Sequence, residues 1–208
     1  LRLDASVPAL DFGGAPRSAV GALRTALASG DRTLVVASDL RVGLPTGPED
    51  GGGGDAATAI LVGSDEDGPL LAEYLGGATA TAEFTDRWRT PGEAHSRTWE
   101  DRFGEHAYLP LVRQAWTDAL EATSLTAADV AVAVVAGLHG RATKKAAAGL
   151  GVAVAEDRTD TVGNAGAAHP TLLLADVLDG ATPGDVVALV VLADGCEVLF
   201  FRATGTLA

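Results

Sequence analysis

The stretch VGNAGAAHPTLLLADVLDGATPGDVVALVVLADG, residues 162–195, decides the fold class. It reads as a Gly-Asn turn, an apolar helix, a Pro-Gly turn and then the strand VVALVVLA (186–193). A strand that is apolar at every position is covered on both faces, which in a chain that alternates strands and helices means helices on each side of a sheet. A second strand, EVLFFRAT (197–204), follows at once. Upstream, VAVAVVAG (130–137) reads as another buried strand, and RATKKAAAGLG (141–151) as a helix ended by glycine. LPLVRQAWTDALEATS (109–124) has helical spacing, and TAADV is a short helical lead into the strand at 130.

The N-terminal part repeats the theme. VPALDFGGAPRSAVGALRTALASG (7–30) predicts a strand, a tight turn and a helix. TLVVAS (33–38) and AATAILVG (56–63) predict strands, and ATATAEFTD (78–86) alternates as a further strand. LPTGPEDGGGGD (44–55) is expected to be a flexible surface loop, and SDEDG an acidic turn. RWRTPGEAHSRTWEDRFGEHAY (87–108) is polar, aromatic and irregular, with all three Trp within or just after it. Strand–helix alternation closes on two consecutive strands near residue 63 and again at the C-terminus, the pattern of two related halves.

Composition bounds the function. The 208 residues carry a net charge of −13 and are 47% hydrophobic, with 26 Gly and only 5% aromatics. This is enough apolar material for one domain or two small, closely packed halves. The acidic balance excludes a basic face for nucleic acid or an anionic membrane. The lone cysteine, Cys196, permits no internal disulfide and fits a reducing, cytoplasmic setting. No apolar run approaches the roughly 20 residues of a membrane span. The first residues, LRLDASVPAL, already read as structure, so the chain is expected to be a fragment or one piece of a larger assembly.

Three segments together resemble the thiolase superfamily, in particular its hydroxymethylglutaryl-CoA synthase and ketoacyl synthase III branch. LDFGGAPRSAVGALRTALASGDRTLVVASD is similar to the family's nucleophile turn, helix and following strand. GGDAATAILVG resembles the strand that ends the first half, and residues 162–195 resemble the Gly-Asn turn, long helix, PGD turn and glycine-ended strand. EFTDRWRTPGE and WEDRFGEHAYLPLV resemble synthase-like proteins that work with an OB-fold acyl-CoA-binding partner or fused domain. The resemblance implies an α/β, thiolase-like fold of two related βαβ-rich halves. Residues 1–77 would be the remainder of the first half and 78–208 the second. The family's halves begin with two strand–helix units before the nucleophile strand, and these are absent here. The first sheet would then carry a gap for another segment or chain to fill, in a homodimer or hetero-oligomer. The substrate implied is a coenzyme A thioester, with no separate cofactor.

The family's catalysis, as the resemblance implies, uses a Cys at the strand–helix junction, a His after a second-half strand and an Asn or His in the Gly-Asn turn. The helix N-terminus favours the thiolate, while the second-half groups form the oxyanion hole and move protons. Here Asp11 aligns with the cysteine, before Phe12-Gly13-Gly14. A carboxylate is a poor nucleophile toward a thioester; Asp11 is either a helix N-cap or a polar substrate contact or base. His139 lies just after a strand, although counting from Gly151 puts the family's His nearer Ala136. Asn164 is the best match: either its amide donates to a carbonyl oxygen beside Gly163, or it caps the following helix. His169, inside that helix, reads as a packing or surface histidine, and Cys196 as a buried structural thiol. Arg141, Lys144 and Lys145 either meet nucleotide phosphates or are helix-surface charge. The four His show no metal-ligand spacing, and GGGGD lacks the Lys-Ser/Thr end of a phosphate loop.

The sequence therefore predicts a thiolase-like acyl-CoA protein that makes or breaks a C–C bond, of Claisen or retro-aldol type, without an acyl-cysteine. Asn164 would polarise the carbonyl, Asp11 or His139 would act as base, and Gly13, Gly14, Gly163, Arg141, Lys144 and Lys145 would bind substrate. The alternative is a catalytically degenerate half that presents acyl-CoA to an OB-fold partner.

Overall fold

A computed structural model describes residues 3–205 apart from 86, 89 and 94. Its centre is a four-stranded sheet built around the strand whose sequence is apolar throughout. Strands β3 (Ala72–Thr81), β6 (Val130–Gly137), β7 (Val186–Leu192) and β8 (Gly195–Ala203) lie in the order β3-β8-β7-β6. β6 and β7 run parallel, and β8 is antiparallel to both its neighbours. A parallel bridge from Ala133 to Val154 extends the sheet past β6. Every residue of β7 is buried, and its alternation divides the core in two. Ala188, Val190 and Leu192 join the cluster under helices α3 (Asp101–Thr123) and α4 (Gly140–Gly149). Val187, Leu189 and Val191 join Val20, Leu23, Leu173 and Leu174 of α1 (Pro16–Ser29) and α5 (His169–Asp179) on the other face. At about 1.5–3 kcal/mol for each buried Val or Leu side chain, this strand alone anchors both layers.

Behind α1 and α5 stands a second, two-stranded sheet: β1 (Thr33–Asp39) antiparallel to β2 (Ala56–Val62), from Thr33 opposite Val62 to Asp39 opposite Ala56. Val35 and Ala37 turn inward and are buried. On the other face Val36 is 61% and Leu61 58% exposed, with Leu34 at 39%. The layers are thus helix, sheet, helix, sheet, and the outer sheet shows an uncovered apolar face among the described residues.

Several sequence expectations are corrected here. Residues 7–12 form no strand and are exposed, Leu10 by 80%; a single extended segment has no neighbour to take its N–H and C=O groups. The strand expected at 78–86 runs instead from Ala72 to Thr81, because pairing with β8 sets its limits; it spans the 77/78 boundary between the expected halves. The helix expected at 109–124 starts at Asp101 and carries Pro110 inside it. Short two-residue strands β4 (Arg87–Trp88) and β5 (Arg97–Thr98) pair within the segment read as irregular. The loop at 44–55 contains a one-turn helix, α2 (Pro48–Gly52). Among the described residues no helix is long and apolar enough to cross a membrane.

The double substitution Val36→Lys with Leu61→Lys should cut the binding of an apolar-surface dye severalfold. It should shift unfolding free energy by no more than about 0.5 kcal/mol, as expected for exposed positions, measured by denaturant titration.

Candidate functional site

In open α/β sheets, ligand sites gather beyond the carboxyl ends of the parallel strands. At that end of β6, Leu138 and His139 lead into α4. His139 is the N-cap residue of this helix, and its Nδ1 accepts the Ala142 N–H at 3.1 Å. A neutral imidazole that accepts at Nδ1 carries its proton on Nε2. His139 is thereby fixed as a hydrogen-bond donor, and the base role open to it from sequence is disfavoured. Nε2 is buried and has no partner among the described residues. Leaving such a group unsatisfied costs roughly 1–3 kcal/mol, so an orphan of this kind calls for a partner.

Glycine makes room for the ring. A Cβ on Gly104, in the first turns of α3, would stand 2.2 Å from His139 Cδ2 and Nε2. Tyr108, one turn on, places its ring 6.3 Å from the imidazole and takes the Asp194 N–H on its hydroxyl. Glu105 on the same helix binds Arg141 Nε at 2.6 Å and Lys145. Lys145 and Arg141 hold the Glu105 carboxyl below the usual carboxylate range. Two members of the expected phosphate-binding cluster are thus engaged in tying α4 to α3. Lys144, the third, is exposed and acts on Asp157 through space.

Asn164 lies at the same end of the sheet. Its Nδ2 donates to Gly137 O at 2.8 Å and its Oδ1 accepts from Gly166 N–H at 3.0 Å. The side chain fastens the turn before α5 to the last residue of β6, which leaves one amide N–H to offer. Its backbone pairs with the glycine run: Asn164 N to Gly52 O at 2.8 Å and Gly54 N to Asn164 O at 3.0 Å. A Cβ on Gly54 would sit 1.9 Å from Val162 O, and one on Gly163 2.5 Å from Gly53 O. The run read as a flexible loop is a strip of bare backbone pressed on another. Beside it, Glu49 of α2 binds Arg41 at 2.6 Å and also Arg87 of β4.

These elements enclose a cavity of about 390 Å³, whose walls include Glu49, Arg87, His95, Trp99, Leu138 and His139. His95, from the bend between β4 and β5, has a buried Nδ1 that also lacks a partner. Sequence reading gave His95 no role: it stands in an irregular stretch, and only the fold brings it to the cavity that His139 lines. Gly104 was likewise illegible, since its reason lies 35 positions away in the chain.

Asp11 is elsewhere. It is exposed and its Oδ1 accepts the Gly13 N–H at 2.9 Å, a local turn with Gly13 at φ +76° and Gly14 exposed. It does not cap α1, whose N-cap is Ala15 and whose first residue is Pro16; those two residues hold the helix junction. The start of α1 is fixed instead by Arg17, which donates to Ala193 O at 3.0 Å and Asp194 O at 2.6 Å. Cys196 is buried; burial, then the neighbouring Glu197, pushes its thiol up to about 12, so it is no thiolate at neutral pH. His169 is also buried, and burial holds it below the usual histidine range against the opposing pull of Asp157. No group of three or more His, Cys, Asp or Glu is placed to hold a metal among the described residues.

No family model and no curated protein matches the chain. Solved structures do. An HMG-CoA synthase complexed with CoA superposes with a TM-score of 0.72 at 18% identity, covering 95% of this chain and 56% of that one. A 3-oxoacyl-[acyl-carrier-protein] synthase III from Aquifex aeolicus VF5 gives 0.70 at 16% identity, covering 95% and 68%. The corresponding synthase III from Pseudomonas aeruginosa PAO1 gives 0.70 at 18%, covering 94% and 66%. The fold is therefore the thiolase-like α/β fold, and the chain spans a little over half the length of the HMG-CoA synthase it matches.

Gly104→Ala tests the seat of the imidazole. On an exposed helix the change would add up to about 1 kcal/mol of stability; here it should destabilise by about 1–3 kcal/mol, as overpacking does. Thermal unfolding, with the His139 ring signals followed by NMR, checks both the sign and the displaced ring.

Proposed function

We propose that this chain is a thiolase-like acyl-CoA protein that forms or breaks a carbon–carbon bond, by Claisen or retro-aldol chemistry, without an acyl-cysteine. The observation that carries this reading is His139, which lines a cavity beyond β6 and whose buried Nε2 has no partner among the described residues. A thioester carbonyl needs donors for the negative charge that develops on its oxygen; Nε2–H of His139 and the remaining amide N–H of Asn164 are the side-chain candidates. The fold supports the substrate class, because the matched structures are an HMG-CoA synthase with CoA and acyl-carrier-protein synthases. Ala15 and Pro16 at the helix junction, and a protonated Cys196 in the core, support a route with no covalent cysteine adduct. Lys144 is the cation of its cluster left to meet the nucleotide phosphates, while Gly13 and Gly14 lie outside the cavity lining and Gly163 packs on Gly53.

A second reading has its own support. Both polar ends of the Asn164 side chain already serve the fold, and the apolar face of β1–β2 is uncovered. These suit a degenerate subunit in a homodimer or hetero-oligomer that holds acyl-CoA for an OB-fold partner.

Acyl-CoA turnover by the chain, assayed alone and with candidate partners, separates the two. His139→Ala and Asn164→Ala should each lower turnover by about 10²–10³-fold, the usual loss for one oxyanion donor. Asp11→Ala should leave it unchanged. Turnover unaffected by all three rejects the site, and an acyl adduct on Cys196 by intact mass rejects the cysteine-free route. Acyl-CoA binding with no turnover under any pairing selects the scaffold.

A further inference from the structure

We propose that the free edge of β2 takes up an extended apolar segment of a partner protein, flanked by lysine or arginine, at a place separate from the acyl-CoA site. A cavity of about 830 Å³ opens there, lined by β2, the entry to β3, and the last turns of α1 and α5. Neither His139 nor any residue of 7–12 lines it. α5 begins near Asn164 and ends at this cavity, so its 11 residues set the two regions roughly 15 Å apart.

Six consecutive residues, Ala59 to Ser64, line the cavity. Side chains alternate between the faces of a strand, so an unbroken run of lining means that β2 presents its edge. Its other edge is taken by β1. Among the described residues, no backbone group of 57–62 bonds outside that ladder. A row of unpaired N–H and C=O groups beside apolar walls is a template for an added strand. The entry to β3 also lines the cavity, but the carbonyls of Leu70 and Leu71 already accept from Thr204, so pairing falls to β2. Alternate side chains of the added strand would meet Leu27 and Leu178, and the others would continue the exposed face of Ala59 and Leu61. A lipid-like ligand could fill the space but would leave the β2 amides unpaired.

Charge selects the partner. Gly30 and Asp31 follow α1, and Asp179 closes α5; all three line the cavity. Neither helix has a basic residue in its last turn. The negative ends of both helices therefore add to the exposed carboxylates of Asp31 and Asp179. Glu73, a third carboxylate, pairs with Arg202 at 3.3 Å. Among the described residues no Lys or Arg belongs to the lining. Cationic flanks complement such a rim. A second copy does not: its exposed segment VPALDF (7–12) carries Asp11 and no Lys or Arg, and the chain as a whole carries −13.

The test uses the full chain and a dye-labelled peptide of alternating Val and Thr with a lysine at each end, followed by fluorescence anisotropy. Saturable binding is expected, weakening severalfold as salt is raised, with slower hydrogen–deuterium exchange at the amides of 57–62. Only one set of alternate peptide residues turns its N–H groups to β2. N-methylating that set should cost about tenfold or more, and methylating the other set little. Asp31→Lys with Asp179→Lys should weaken the Lys-flanked peptide severalfold and strengthen a Glu-flanked one. Absence of saturable binding overturns the proposal. Equal binding of both methylated peptides does so too, leaving an apolar ligand cavity in its place. A dimer of the chain alone that the peptide disperses, seen by sedimentation, would assign the edge to a second copy and overturn the basic partner.

Discussion

Burial of β7 on both faces is the constraint from which the rest of the architecture follows. A strand with no polar residue cannot sit at an edge or beside solvent, so it needs a neighbour on each side and a helical layer above and below. Its parity assigns Ala188, Val190 and Leu192 to one core and Val187, Leu189 and Val191 to the other. The partners obey the same parity: Phe200 of β8 packs on Trp116 of α3 with ring centroids 5.6 Å apart, and Phe201 turns to Tyr74 on the far side at the same distance. Because β6 runs parallel to β7, both deliver their carboxyl ends to one edge, where His139, Asn164 and Tyr108 collect.

That architecture was largely legible in the sequence. The strand expected at 130–137 spans the observed one, and those at 33–38, 56–63 and 186–193 differ from theirs by a single residue. Each is a β-branched run bounded by turn residues, a signal that needs no tertiary help. The misreadings came where tertiary structure overrides local signal. The polar, aromatic and irregular composition of 87–108 hid the first eight residues of α3, yet the apolar spacing of Tyr108, Val112, Ala115 and Ala119 against the sheet holds that helix together. The 7–12 segment has a strand's composition and no partner strand. Asn164 stands out in the sequence through its Gly-Asn turn, but the structure shows its side chain tying that turn to β6, whereas His95 depends on a bend in a polar segment being carried onto the end of β6.

Electrostatics tell a related story. The chain has 15 Lys and Arg against 28 Asp and Glu, and many of the cations in the structure are committed to internal pairs. Arg24 binds Glu197, Arg41 and Arg87 share Glu49, Arg141 and Lys145 share Glu105, and Arg158 binds Asp176. Exposed pairs of this kind contribute at most about 1 kcal/mol each. Their greater effect is positional: Glu105 joins α3 to α4 directly beneath His139, and Glu49 joins the end of β1, α2 and β4 along one wall of the cavity.

The glycine strip has a consequence for how this sequence can drift. A run of four glycines looks like a spacer, the part of a protein most tolerant of change. Here Gly53 and Gly54 lie against Val162 and Gly163 with no space for a side chain, and the next residue in that contact, Asn164, holds the carbonyl end of β6. A methyl group added at Gly54 would meet Val162 O and wedge the two backbones apart, whereas one at Gly51 or Gly52 would enter open space. Gly53 and Gly54 therefore pin the start of β2 to the turn before α5, and mutational tolerance should change sharply inside a run whose letters are identical.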